Sequence, residues 1–483
     1  MRNKTDFNLE YSYLSLPNKF YSLVKPMPVA KPELFLLNHE LCNELNISTK
    51  DPESIINAIY GNDPDNSKTF SQAYAGHQFG HFTMLGDGRA VVVGEHITDG
   101  GNRFDMQLKG SGKTPYSRAG DGKATLKSML REYLLSEAIH HLNIPTSRSL
   151  AVLKTGEVVR RETLNEGAVL IRVMKSHIRI GTFEYARHFG TTDDLKALLQ
   201  YTIKRLLPDV EQSENQALSL LKKVISLQIE LVVNWMRVGF IHGVMNTDNV
   251  SISGETFDFG PCAFLNSHHP ETVYSSIDAY GRYSFGNQPE IMKWNIARLA
   301  EALLPLIHND SETSLMLAQN AIDEFDEIWN EKYYSTMLNK LGIENKNKDF
   351  YPLVDELLEL MTNLKLDYTN TFYALGTDVN SKDNPKQRPE LKTWLEKWQN
   401  AIFKNSNGSE TSRELMSLNN PVYIPRNHLV EQALNEAVEG NMTLFDRLLG
   451  VLKTPYTYQK NCDSFTKQPD TDFEMRYQTF CGT

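Results

Sequence analysis

Cysteine is scarce. Cys42, Cys262, Cys462 and Cys481 are the 4 in 483 residues, with no CxxC pair and no metal-ligand spacing. That excludes a disulfide scaffold and makes a reducing, cytoplasmic setting the default. Long apolar runs are missing too. No window reaches the ~18 uninterrupted apolar residues of a membrane span. Met1 to Leu14 carries Arg2, Lys4, Asp6 and Glu10 without an apolar stretch, so no secretory signal is expected. Positive charge is in deficit. Lys+Arg 50 against Asp+Glu 60 gives a net charge of -10, which argues against nucleic acid or an anionic membrane as partner and leaves room for a local basic pocket. Internal repeats and low-complexity tracts are absent.

What is present is ordinary globular composition, 40% hydrophobic and 23% charged, enough chain for a sizeable core. Residues 1–65 read as loops and short helices. Residues 66–125 are punctuated by glycine. Within them, Ala90–Val93 reads as a strand. Phe104–Lys109 alternates and reads as a half-buried strand, with Phe104, Met106 and Leu108 on one face and Asp105, Gln107 and Lys109 on the other. Thr98–Asn102 is the hairpin loop between them. A helix is expected from about Thr125 to Leu142, ahead of Pro145. Short strands follow near 150–153, 157–162 and 168–173. From Ser213 the pattern turns helical: Leu220, Val224, Leu227, Leu231 and Trp235 share a face, and Gly239 is the stop. Trp294–Leu306 and His428–Leu452 read as helix, Asn345–Asp349 and Asn405–Ser412 as surface loops. Strands first and helices after predict an α+β, two-lobed chain.

The chemistry concentrates in His242-Gly243-Val244-Met245-Asn246-Thr247-Asp248-Asn249, followed by Asp258-Phe259-Gly260. His and Asn stand at the spacing of a protein-kinase catalytic loop, and Asp-Phe-Gly follows as in kinases. Val250 to Phe257 fits two short strands closed at Ser253-Gly254, which would pair Asn249 with Asp258. An amide oxygen and a carboxylate side by side suit one Mg²⁺ bound to phosphates. The bland alternative is a surface hairpin capped by Asn and Asp. Upstream, Lys109 ends a strand and Glu132 lies in the next helix, the kinase ion pair that aims a lysine at phosphates; alone, each would read as a solvated charge. Gly86-Asp87-Gly88-Arg89 sits where a kinase has its glycine-rich loop, although in isolation an ordinary turn is the better reading.

Two departures matter. The position of the kinase catalytic Asp is Val244, which cannot accept a proton, and the nearest carboxylate is Asp248. Either catalysis is lost or Asp248 serves from a shifted position. Arg89, Lys113, Arg118, Lys123, Arg172, Lys175 and Arg179 also flank the expected cleft and call for an anionic ligand. Arg172 and Arg179 would share a face if that segment were helical. The alternative is scattered surface cations in weak ion pairs. His77 and His81, four apart, lack a third zinc ligand and read as packing residues.

Several strings together resemble the selenoprotein O family: Gln72–Gly80, Leu85–Ala90, Gln107–Gly112, Thr114–Arg118, Gly120–Gly122, Thr247–Asn249, Asp258–Cys262 and Gly286–Pro289. The resemblance spans essentially the whole chain. It implies a protein-kinase-like fold long called a pseudokinase: an N-terminal extension at 1–65, an N-lobe at 66–175, a C-lobe core at 176–330 and a helical extension with a redox tail at 331–483. It implies ATP bound in a flipped orientation and transfer of AMP, or UMP from UTP, to a Ser, Thr or Tyr hydroxyl of proteins. Carried over, the nucleotide positions are Gly86, Gly88, Arg89, Lys109, Asp121, Gly122, Arg172, Arg179 and Asp258. The metal positions, for Mg²⁺ or Mn²⁺, are Asn249 and Asp258, and the proton acceptor is Asp248. Bacterial members carry Cys third from the C-terminus, here Cys481, which can bridge to the Cys of the Asp-Phe-Gly-Pro-Cys string, here Cys262; two free thiols are the alternative. A γ-phosphoryl kinase and a non-catalytic nucleotide-binding module remain the rival functions.

Overall fold

The computed structural model describes residues 7–48, 53–60, 67–344, 347–377, 384–405 and 409–480. The N-terminal part is built on an antiparallel sheet and the C-terminal part on helices, the α+β arrangement expected. The sheet runs Tyr21–Leu23, Phe70–Gln72, Ala90–Ile97, Arg103–Lys109, Leu164–Met174, Arg148–Arg160, Glu33–Leu37. Strands at 21–23 and 33–37 replace the loops and helices expected there, because both lie against sheet edges that supply their hydrogen bonds.

The strand Arg103–Lys109 organises the molecule. Met106 and Leu108 enter a dry core with Leu41, Cys42, Ile55 and Ile171. Asp105, Gln107 and Lys109, on the opposite face, are buried as well, at 5% exposed or less. The half-buried reading is therefore corrected. The polar face is covered by the rest of the chain, and its charges are met by partners rather than by water.

The helix Leu126–His141 starts at Thr125, whose hydroxyl accepts from the Ser128 N–H, and ends at Leu142. Residues 148–160 form one strand, not two. A bulge between Lys154 and Val158, with Gly156 at φ 69°, breaks the alternation without ending the pairing. The helix Gln216–Val238 stops at Gly239, φ 75°. Its Trp235 Nε1 donates to Thr256 Oγ1 at 2.8 Å, tying the helix to the segment before Asp258.

Residues 250–257 do not form the expected two-stranded ladder. A turn bond joins Gly254 N–H to Ser251 O, but each arm pairs elsewhere, Ser251 with Arg179 and Thr256 with Thr146. Neighbouring segments satisfy the backbone that the hairpin would have used. His428–Leu452 divides into Asn427–Val438 and Thr443–Leu452 at Gly440, φ 94°. Of the two expected loops, Lys348–Phe350 is a 3-10 turn, and 405–412 begins and ends inside helices Lys392–Asn405 and Ser409–Asn419. Among the described residues no helix is long and apolar enough to cross a membrane.

Candidate active site

Between sheet and helices lies a cleft of about 1390 Å³, larger than the ~300–1,000 Å³ of a usual small-ligand pocket. Every residue expected to bind nucleotide or metal lines it, as do Glu132 and Asp248. The elements that deliver them are distant in sequence: the end of the Arg103–Lys109 strand, the middle of the Leu126–His141 helix, the Leu164–Met174 strand and the 242–260 loops.

The floor is a closed charge network. Lys109 Nζ lies 2.5 Å from Glu132 Oε2 and also bonds Asp258 Oδ1. Arg172 reaches Asp258 Oδ1 at 2.8 Å, Glu132 Oε1 at 3.4 Å and Gln107 Oε1 at 2.9 Å. Arg179 stacks on Tyr74, 4.1 Å from the ring centre, and lies 3.5 Å from Asp87 Oδ1. Arg172 and Arg179 do not share a helix face. The first is on a strand and the second caps the helix Ile180–Phe189; the fold of 174–179 brings them together. Burial alone would raise the Asp258 carboxyl, but Lys109, then Arg172 and Arg179, overcome it and hold it well below the usual range.

Asp248 sits in the opposite environment, on the 3-10 turn Thr247–Asn249. Burial pushes its carboxyl up to about 6 against the pull of Arg179. Its Oδ1 is buried without a hydrogen-bond partner. The wall beside it is glycine by necessity: a Cβ on Gly76 would come within 2.6 Å of Asp248 Oδ1. Val244 also lines the cleft, and its carbonyl accepts from Asn249 Nδ2 at 3.1 Å.

The Gly86–Arg89 turn is stapled rather than free. Thr114 Oγ1 donates to Asp87 O at 2.7 Å and Ser117 Oγ donates to Gly88 O. A Cβ on Gly86, φ 152°, would strike the Tyr116 ring at 2.3 Å. Asp121, at the rim, is gripped by Arg161 through two bonds of 2.9 and 3.0 Å, which lower its carboxyl. Gly122, φ 69°, lets that loop close on Gly112. Of the seven flanking cations, Arg89, Arg118, Lys123, Arg172 and Arg179 line the cleft. Lys113 and Lys175 are exposed outside it. Lys123 is paired with Glu157 at 2.7 Å. Cation surplus is thus smaller than the sequence suggested. Missed by sequence reasoning were Asp87, the acid facing Arg179, and Arg161 at the tip of a hairpin; Asp87 lay in plain view between two glycines.

The donors suit a divalent cation held jointly with a polyphosphate. Bonding of Asn249 Nδ2 to Val244 turns the amide oxygen outward, and both cations on Asp258 use Oδ1, leaving Oδ2. Among the described residues no cluster of three His, Cys, Asp or Glu that could hold a metal ion exists. His77 and His81 lie on a hairpin, Ala75–Gln78 with His81–Met84, not on a helix. Cys262 is fully buried, its thiol pushed up to about 12 by burial, and it donates to Phe259 O at 3.3 Å. Thr479 of the tail donates to Pro261 O at 2.6 Å. Cys481 lies outside the described residues.

A family model described as Protein adenylyltransferase SelO matches residues 4–453. A protein of Clostridium perfringens named Protein nucleotidyltransferase YdiU is 48% identical over 489 residues, covering 100% of this chain and 99% of that one. A protein of the same name from Bacillus cereus is 48% identical over 485 residues with the same coverage. Among solved structures, ROP2 from Toxoplasma gondii, a virulence factor with a protein-kinase fold and no enzymatic activity, matches 67% of this chain and 96% of its own. Its sequence identity is 10% and the TM-score 0.28, too loose to bear on the fold, which rests on the elements described above.

Proposed function

This chain belongs to the family described as Protein adenylyltransferase SelO and is a protein nucleotidyltransferase, and from that premise we propose the reaction and its orientation. AMP from ATP, or UMP from UTP, passes to a Ser, Thr or Tyr hydroxyl of a protein, and pyrophosphate leaves. The triphosphate enters tail-first, its γ end over the floor and its α-phosphorus toward Asp248. One observation carries this reading. Lys109, Arg172 and Arg179 lie at the bottom of the cleft, each 5% exposed or less, and although Glu132, Asp258 and Asp87 pair with them, a phosphate would use their donors where a neutral purine would not.

Asp248 takes the proton of the acceptor hydroxyl. That oxygen forms a bond to the α-phosphorus as the bond from the α-phosphorus to the bridging oxygen of pyrophosphate breaks. Lys109, Arg172 and Arg179 hold the departing oxygens, and Glu132 keeps Lys109 aimed at them. Gly86, Gly88 and Gly122 give the loops at the entrance their close approach, with Arg89 and Asp121 contacting the nucleotide there. Asn249 and Asp258 would hold Mg²⁺ or Mn²⁺, which when bound supplies neutralisation of charge on the transferred group and pyrophosphate.

The test is isotopic. Protein incubated with α-labelled ATP becomes labelled, and with γ-labelled ATP it does not. Label from the γ position would make the chain a kinase. No label from either, with nucleotide still bound, would make it a non-catalytic module.

A further inference from the structure

The hairpin of Ala75–Gln78 and His81–Met84 packs directly on the turn Thr247–Asn249. His77 N–H donates to Thr247 Oγ1 at 2.7 Å, and Phe79 N–H donates to Asn246 Oδ1 at 3.0 Å. Tyr283 OH donates to that same Asn246 oxygen at 2.6 Å. Behind both pieces stands Glu184, in the helix Ile180–Phe189 and 2% exposed. Its Oε1 bonds His77 Nδ1, and the Thr247 hydroxyl, which accepts from His77 N–H, favours the charged form of the carboxyl. Its Oε2 has no well-formed hydrogen bond.

Burying an acid in this position costs stability that an apolar side chain would not. Burial pushes the Glu184 carboxyl up to about 7 and His77 down. His188 on the same helix, Arg298 and Glu301 on the helix Gln288–Ile307, and Arg282 act on the pair through space. What the acid accomplishes is a junction: it is bonded to His77 of the hairpin that walls Asp248, and His77 N–H is bonded in turn to Thr247, the residue just before Asp248.

We propose that Glu184 is a positioning residue for nucleotidyl transfer, locking the 75–84 hairpin to the 247–249 turn through His77 and Thr247 and so setting the aim of Asp248. A kinase holds its catalytic Asp within the loop after the His. Here that position is Val244, and the carboxylate that serves instead is steadied from outside the loop. Glu184 reaches neither nucleotide nor acceptor, so its loss changes the rate of the step and not the affinity for ATP. The proposal rests on Asp248 being the proton acceptor.

Transfer from α-labelled ATP into the chain itself and into a denatured mixed-protein acceptor is followed for wild type, Glu184→Ala, Glu184→Gln and Thr247→Val, with ATP affinity measured separately. Misplacement of a reacting group by about 1 Å costs up to ~100-fold, so Glu184→Ala lowers kcat by ~100-fold with KM and Kd for ATP within ~3-fold. Glu184→Gln, which can still hydrogen-bond His77, recovers about tenfold of that, and Thr247→Val, of similar shape, lowers kcat by about tenfold with the same split. Unchanged kcat in Glu184→Ala, a parallel loss of ATP affinity, or no recovery in Glu184→Gln would overturn the proposal. If Glu184→Ala does not fold, Thr247→Val decides: wild-type kcat there rejects the junction. Wild type that moves no α-label refutes the function proposed above instead, whatever the variants do.

Discussion

Asp258 and Asp248 stand ten residues apart, line one cleft and sense each other's charge, yet the fold drives them in opposite directions. Asp258 is met by Lys109 and Arg172 and stays ionised. Asp248 is walled by a glycine hairpin, has no partner for Oδ1, and is pushed up to about 6. Asp248 is the more deeply buried, with the Asp258 side chain 28% exposed, but the larger separation comes from the cations that meet Asp258. A carboxylate pinned as an anion can hold a cation and cannot usefully take a proton. One titrating near 6 can take a proton at neutral pH and return it.

The division of labour can be broken at either end. Asp258→Ala should remove the larger share, lowering α-label transfer by ~10³-fold or more while leaving Lys109 and Arg172 to share Glu132 alone. Loss of ATP binding should accompany it, seen by titration calorimetry. Asp248→Asn should lower kcat by ~10²-fold with ATP affinity within ~3-fold, since in the proposed mechanism only the proton acceptor is lost. In wild type, kcat should rise with pH through about 6 and then level, because the protonated acid is idle. The Asn variant should lack that rise, and a wild-type profile flat from pH 5 to 8 would remove Asp248 as the base.

The smallest effect sharpens the comparison in stability. Folded Asp248 titrates at about 6, above the ~3.9 of an unfolded Asp. Its stabilising contribution is therefore complete below about 4 and is lost as pH rises through about 6. The loss is up to ~3 kcal/mol. Asp248→Asn should raise Tm by ~2 °C at pH 8 and leave it unchanged at pH 4. Asp258→Asn, removing a paired anion, should lower it.

Much of the floor was legible. Lys109, Glu132, Asn249 and Asp258 announce themselves by short spacings and by the periods of a strand and a helix, because those patterns are local. The breaks in the reading are also physical. Phe104–Lys109 alternates as a half-exposed strand does, and alternation cannot tell a face turned to water from one turned to Arg172, Arg205 and Glu132. The 250–257 hairpin had the right turn residues, but its arms found better partners at 146 and 179. Gly440 is a helix stop that the residue type alone announces. Glu184 and Arg161 carried no signal, and His77 stood out only as half of a histidine pair, since each matters through a residue 40 to 170 positions away.

Order of elements, the helix with its Gly239 stop, the Lys–Glu pair and the absence of an Asp at Val244 follow from residue type and near-neighbour spacing alone, because steric preference and hydrophobic period act over a few residues. Which acid remains an anion and which one holds a proton near neutrality was decided only when distant segments closed around them. A carboxyl's proton affinity depends on the cations and water within a few ångströms, and the chain does not reveal those neighbours until it has folded.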